Sequence, residues 1–176
     1  MVWTLNRDYI SNHTYFVAVY VVVIAKLIKW KGPYDALMFK ALLHDLDELV
    51  SGDLVSPVKA EILDVARADV YLKRKLNERI PHLLNLQQLM LTDCEDRVDE
   101  MKLILKAADR LDALLFLIVE QRLGNTVIGP RIPDATAQLR EAWFKLPGLE
   151  HHLTSIWREE VLPSIEAHKA ERGFGV

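Results

Sequence analysis

Apolar residues recur with helical spacing along most of the chain, and alternation typical of strands never persists. Glycine and proline separate the periodic segments, at Gly32-Pro33, Pro81 and Pro147-Gly148. The pattern predicts helices over about 11–30, 34–50, 57–79, 83–91, 93–122, 134–145 and from about 150. Ser11 or Asn12 is the expected cap of the first helix. The chain is therefore predicted to be all-α.

The segment 15–25 is apolar around its whole helical circumference. It is too short to span a bilayer, and Lys26 and Lys29 follow it. A helix of this kind lies at the centre of a domain or is shared between a core and a subunit interface. We therefore expect a homodimer or a higher homo-oligomer.

The length of 176 residues favours a single domain over 1–176. A net charge of −3 offers no basic field for a nucleic-acid polymer and no polybasic patch for a membrane. The single cysteine, Cys94, excludes an intramolecular disulfide and fits a reducing compartment. Residues 1–12 do not resemble a signal peptide, so a soluble, cytoplasmic protein is expected.

The richest chemistry follows the apolar face of the second predicted helix, in the stretch KALLHDLDELVSGDLVSPVK over 40–59. Helical spacing would bring His44, Asp45 and Glu48 to one face. Gly52 would break the helix and let Asp53 return to the same place. Ser56 and Pro57 are typical of a helix start, and that helix would carry Lys59. An imidazole, carboxylates and a lysine together indicate a metal-assisted phosphate site.

Two further residues could join this site. His13 stands near the start of the first predicted helix, and Asp109 stands in the middle of the longest apolar one. A buried carboxylate needs a partner, and that partner could be an arginine rather than a metal. A lone histidine near a helix start is usually a surface or capping residue instead. Two histidines and two aspartates would suit a borderline divalent metal with positions open to water.

The set His13, His44-Asp45 and Asp109 resembles the H…HD…D signature of the HD-domain metal-dependent phosphohydrolases. More narrowly, HDLDE, SGDLVSPVK, KAADRLDA and the later LGN resemble the small 5′-deoxynucleotidase branch and related phage deoxynucleoside triphosphohydrolases. The resemblance covers about residues 10–125. It implies a compact HD-domain helical bundle of about six to eight helices.

The resemblance also implies roles for particular residues. His13, His44, Asp45 and Asp109 match the family's ligands to one divalent ion, which could be Co, Mn, Zn, Ni or Mg. Glu48 matches the catalytic glutamate. The remaining matches are Asp53, beside the attacking water and the sugar, and Pro57 and Lys59, which line the nucleotide pocket.

The amino-terminal part departs from the family pattern. Family members have adjacent Arg-Trp about fourteen residues before the first histidine, with the arginine on phosphate and the tryptophan on the nucleoside. Here Trp3 is preceded by Val2 and lies closer to His13, and the nearest arginine is Arg7. Trp3 and Arg7 are the candidates for these two roles, and the departure is consistent with an altered substrate preference.

The expected activity is hydrolysis of deoxynucleotide substrates by attack of a metal-activated water. A 5′-deoxynucleotidase releasing phosphate from monophosphates is favoured. One alternative is a triphosphohydrolase that releases tripolyphosphate, which would act in the host cytoplasm if the chain is phage-encoded. The other is a catalytically silent helical binding module.

Overall fold

Six α-helices make up most of the chain described by the computed structural model, which covers residues 10–46, 65–82, 85, 95–164 and 166. These helices are α1 (Ile10–Leu27), α2 (Tyr34–Leu42), α3 (Val65–Arg79), α4 (Val98–Arg122), α5 (Ile132–Trp143) and α6 (Glu150–Ile156). No strand occurs within those residues, so the predicted all-α class is confirmed. No described helix is both long and apolar enough to cross a membrane. The single domain over 1–176 and the cytoplasmic location stay predictions.

The long helix α4 is the centre of the fold and packs against α1, α2 and α5. Fully buried side chains from these helices form one core cluster, which includes Ile24, Leu37, Ile104 and Leu114. Each such side chain contributes about 1.5–3 kcal/mol relative to an exposed one. This packing fixes α1, α2 and α4 relative to one another, and each of them carries or leads into part of the predicted site.

Helix α1 begins earlier and ends earlier than predicted. Ser11 and Asn12 lie inside it, so neither is its cap. It ends at Leu27 because Lys29 adopts a positive φ of 55°. The Trp30 amide then donates to the Ala25 carbonyl at 2.8 Å, and the Lys29 amide donates to Lys26 at 3.1 Å. This Schellman arrangement closes the helix on a lysine where glycine is usual.

Helix α2 ends at Leu42 rather than at residue 50, and residues 43–46 form a turn. The His44 ring explains the early end. Its Nδ1 lies 2.7 Å from the Ala41 carbonyl oxygen, which the Asp45 amide would reach in a continued helix. The expectation that His44 and Asp45 belong to one helix extending through Glu48 is therefore wrong. Glu48 itself lies outside the described residues.

The carboxyl-terminal elements follow the predicted pattern with small shifts. Gly124 ends α4 with a positive φ of 94°, and Gly148 turns the chain with a φ of 91°. Helix α5 begins at Ile132, two residues before the predicted start at 134, so Asp134 stands in its first turn. After α6, residues Trp157–Val161 widen to π-helical hydrogen bonding, just before Pro163. Pro163 has no N–H to donate to this helix, yet helical structure continues through Ser164.

Candidate metal centre

Three segments bring four predicted ligands together. His13 is in the first turns of α1, His44 and Asp45 are in the turn after α2, and Asp109 is in the middle of α4. The two Nε2 atoms of His13 and His44 lie 3.3 Å apart. Asp45 Oδ2 lies 3.3 Å from Nε2 of His13 and 3.1 Å from Nε2 of His44. Asp109 Oδ1 lies 3.5 Å from His13 Nε2.

The tightest part of this cluster contains three residues. His13, His44 and Asp45 each offer a ligand atom, and these atoms all lie within 4.8 Å of one another, so the group could hold a metal ion. Asp109 adjoins this group through its contact with His13. Part of each side chain is still accessible, from 10% for His44 to 34% for Asp109. The centre is therefore sheltered but open to a small ligand.

The hydrogen bonds of the two imidazoles set the direction of their lone pairs. His13 Nδ1 lies 2.7 Å from Asp112 Oδ2, and His44 Nδ1 lies 2.7 Å from the Ala41 carbonyl oxygen. Both partners are acceptors, so each Nδ1 carries a proton, an assignment that follows from the hydrogen-bond network. In the neutral rings each Nε2 then presents a lone pair toward the other ring. Two lone pairs 3.3 Å apart are unfavourable unless a proton or a cation lies between them.

Electrostatics also favour positive charge at this place. Hydrogen bonds with Asp109, Asp112 and Asp45 raise the pKa of His13 to about 12 against the opposing effect of burial. Burial disfavours ionised Asp45, but its bonds to His13 and His44 outweigh burial and hold its pKa well below the usual range. The Asp45 carboxylate is thus ionised beside the two imidazole rings, and a set of nitrogen and oxygen ligand atoms of this kind fits a divalent ion.

Asp112 is a residue that the sequence reasoning did not single out. It is three residues after Asp109, so both lie on the same side of α4, and the motif KAADRLDA contains both. Its side chain is 11% exposed and accepts the His13 hydrogen bond. Its spacing of three residues from Asp109 in an apolar helix could have indicated a second site residue, because a buried carboxylate requires a partner.

The other predicted site residues lie outside the described part of the chain. These are the catalytic candidates Glu48 and Asp53 and the substrate-binding candidates Trp3, Arg7, Pro57 and Lys59. Their roles stay predictions.

Comparison with known proteins identifies the family. A family model described as YfbR-like 5′-deoxynucleotidase matches residues 2–159. The chain belongs to this family. The predicted resemblance to the 5′-deoxynucleotidase branch is thereby confirmed, and the matched span contains every site residue predicted from the sequence.

Individual relatives give consistent similarity. The chain is 28% identical to a 5′-deoxynucleotidase of Pectobacterium atrosepticum over 155 residues, which cover 80% of this chain and 77% of that protein. It is 30% identical to a 5′-deoxynucleotidase of Photorhabdus laumondii over 135 residues, covering 70% and 68%. A 5′-deoxynucleotidase of Yersinia pestis is also 30% identical over 135 residues, with the same coverage.

Proposed function

We propose that this chain hydrolyses 5′-deoxynucleoside monophosphates and releases inorganic phosphate at a divalent-metal centre. The observation that carries the proposal is the convergence of two imidazole Nε2 atoms and the carboxylate of Asp45 within a few ångströms. The substrate class is drawn from the names of the family and of its relatives.

The residues proposed to hold the ion are His13, His44, Asp45 and Asp109. When bound, a divalent ion supplies Lewis acidity, which polarises the phosphoryl group and acidifies water. His13 and His44 would donate through Nε2, with their Nδ1 protons directed away from the centre. Asp45 would supply a carboxylate oxygen from between the two rings, since its Oδ2 lies 3.3 and 3.1 Å from their Nε2 atoms.

The remaining steps are assigned to residues predicted from the sequence. Water attacks phosphorus, the bond from phosphorus to the 5′ oxygen breaks, and the leaving alkoxide takes up a proton. Glu48 and Asp53 would jointly accept the proton from water and deliver one to the leaving oxygen. Lys59, with Arg7, would balance the negative charge on the phosphoryl oxygens.

Charge favours a monophosphate over a triphosphate. Asp45, Asp109 and Asp112 place three carboxylates close to His13, whereas Arg110 lies beside Asp109 with its Nε 3.9 Å from Oδ2. A triphosphate carries roughly two to three more negative charges than a monophosphate and would need further cations within reach. Lys59 is the lysine that the family resemblance assigns to the nucleotide pocket, and a single lysine suits the smaller charge of a monophosphate.

Product analysis tests the substrate class. The chelator-stripped chain, reloaded with Mn²⁺ or Co²⁺, is incubated with dAMP and with dATP, and products are followed by phosphorus NMR. We expect inorganic phosphate from dAMP, with no product in a parallel Asp45→Ala preparation that controls for contaminating phosphatase. Tripolyphosphate from dATP, with dAMP untouched, would mean that the chain acts as a triphosphohydrolase instead.

We also propose that the chain self-associates through α1. Tyr15, Phe16, Val19 and Val23 are 40–61% exposed along this helix, which is an unusual density of apolar side chains for a surface. Light scattering of the purified chain should give a mass at least twice the 20.2 kDa of one chain. A monomer at micromolar concentration would contradict self-association.

A further inference from the structure

Asp112 is the hydrogen-bond partner of the His13 ring on the side that faces away from the candidate metal centre. Its Oδ2 accepts the Nδ1 proton of His13 at 2.7 Å, on the side of the ring away from Asp45 and His44. The corresponding partner of His44 is a backbone carbonyl, that of Ala41. The His44 ring is therefore held by a main-chain carbonyl, which no substitution removes. The His13 ring is held by a side chain, which a substitution at residue 112 removes.

The bond from Asp112 fixes two properties of His13. It selects the tautomer with the proton on Nδ1, and it stops the ring from turning over, so that Nε2 faces Asp45 and Asp109. The negative charge of Asp112 also makes the imidazole a stronger donor, because it stabilises the positive charge that develops on the ring.

The surroundings keep this bond in place. Asp112 lies on α4 and His13 on α1, two helices that pack directly against each other. Ala108 and Leu111, four residues and one residue before Asp112 on α4, are buried, and so is Val17, four residues after His13 on α1. The Asp112 side chain is only 11% exposed, so water competes little with the His13 ring for its carboxylate oxygen.

We propose that Asp112 is a positioning residue of the metal centre, which orients His13 and raises its affinity for a divalent ion without touching the substrate. This inference rests on the metal centre of the proposed function, but not on the identity of the substrate. It predicts an effect on metal affinity that is separable from an effect on the chemical step.

The test compares the parent chain with Asp112→Ala and Asp112→Asn. Each full-length protein is stripped with a chelator, and the Kd for Mn²⁺ is measured by titration calorimetry and by electron paramagnetic resonance. Removal of an outer partner of a ligating histidine typically costs about 10–100-fold in metal affinity, and we expect a loss of that size for Asp112→Ala. Asp112→Asn keeps an acceptor but loses the charge, so its affinity for Mn²⁺ should lie between those of the parent chain and of Asp112→Ala.

A matched control comes from the same helix. Asp99 is 94% exposed and pairs with Lys102 on the surface of α4, so Asp99→Asn removes a carboxylate without reaching the centre. Its Mn²⁺ affinity should equal that of the parent. Circular dichroism of all variants reports the fold, and Asp112→Asn provides a variant of nearly unchanged shape if the alanine variant does not fold.

Activity on dAMP separates positioning from catalysis. Saturating Mn²⁺ should restore kcat of the Asp112 variants to within several-fold of the parent, with KM for dAMP unchanged. An unchanged Kd for Mn²⁺ in both variants, or a loss of kcat that excess metal does not restore, would overturn the proposal. If the parent binds Mn²⁺ and the Asp112 variants bind it more weakly while none hydrolyses dAMP, the positioning role stands and the proposed activity fails.

Discussion

Asp45→Ala should leave the chain folded and remove both bound metal and nearly all phosphohydrolase activity. Asp45 is the carboxylate that approaches both imidazoles, at 3.3 and 3.1 Å from their Nε2 atoms. Its removal deletes a negatively charged donor and leaves His13 and His44 facing each other. The loss of metal affinity should therefore exceed the roughly 10–100-fold that loss of an outer partner costs.

Asp35→Ala is the matched control for this variant. Asp35 is exposed in the first turn of α2, the helix that leads into the turn carrying Asp45. Its loss should cost at most about 1 kcal/mol through the helix dipole and should leave metal content and turnover intact. Metal content is measured by elemental analysis after dialysis. Full occupancy in Asp45→Ala would show that this carboxylate is not a ligand.

Glu48→Gln should retain the metal and lower kcat for dAMP by about 10²-fold or more. Glutamine has nearly the same shape as glutamate but cannot accept the proton of the attacking water or donate one to the leaving oxygen. Glu48 stands three residues after Asp45, and the family resemblance assigns it the catalytic role.

The same two measurements, metal content and kcat, decide between the roles open to Glu48. Loss of metal together with activity would make Glu48 a ligand, and near-normal turnover would remove it from the mechanism. Glu78→Gln is the control, because Glu78 lies on the exposed surface of α3 and pairs with Lys75. That variant should match the parent in both measurements.

The sequence predicted the helical core and the four residues that converge at the candidate metal centre, because both depend on simple periodicity and residue type. Helix α4 is predicted from its long apolar repeat, and in the structure Gly124, just after its end, adopts a positive φ. The four predicted ligands stood out because charged or titratable groups interrupt apolar segments. The three segments that carry these four residues converge in the structure because α1 and α2 both pack against α4.

The features that the sequence did not predict depend on contacts between a side chain and a specific partner. The end of α2 follows from the bond between the His44 ring and the Ala41 carbonyl, which periodicity does not encode. The proposed role of Asp112 depends on its hydrogen bond with His13, which is 99 residues away in the chain. The end of α1 depends on Lys29, a residue that rarely adopts positive φ.

The central claim is that His13, His44, Asp45 and Asp109 bind one divalent ion. A crystal of the zinc-loaded chain, measured on both sides of the zinc absorption edge, tests it most directly. We expect one anomalous peak about 2.0–2.2 Å from Nε2 of both histidines and from a carboxylate oxygen of each aspartate. A peak at another place, or no peak in a chain that hydrolyses dAMP, would contradict this account.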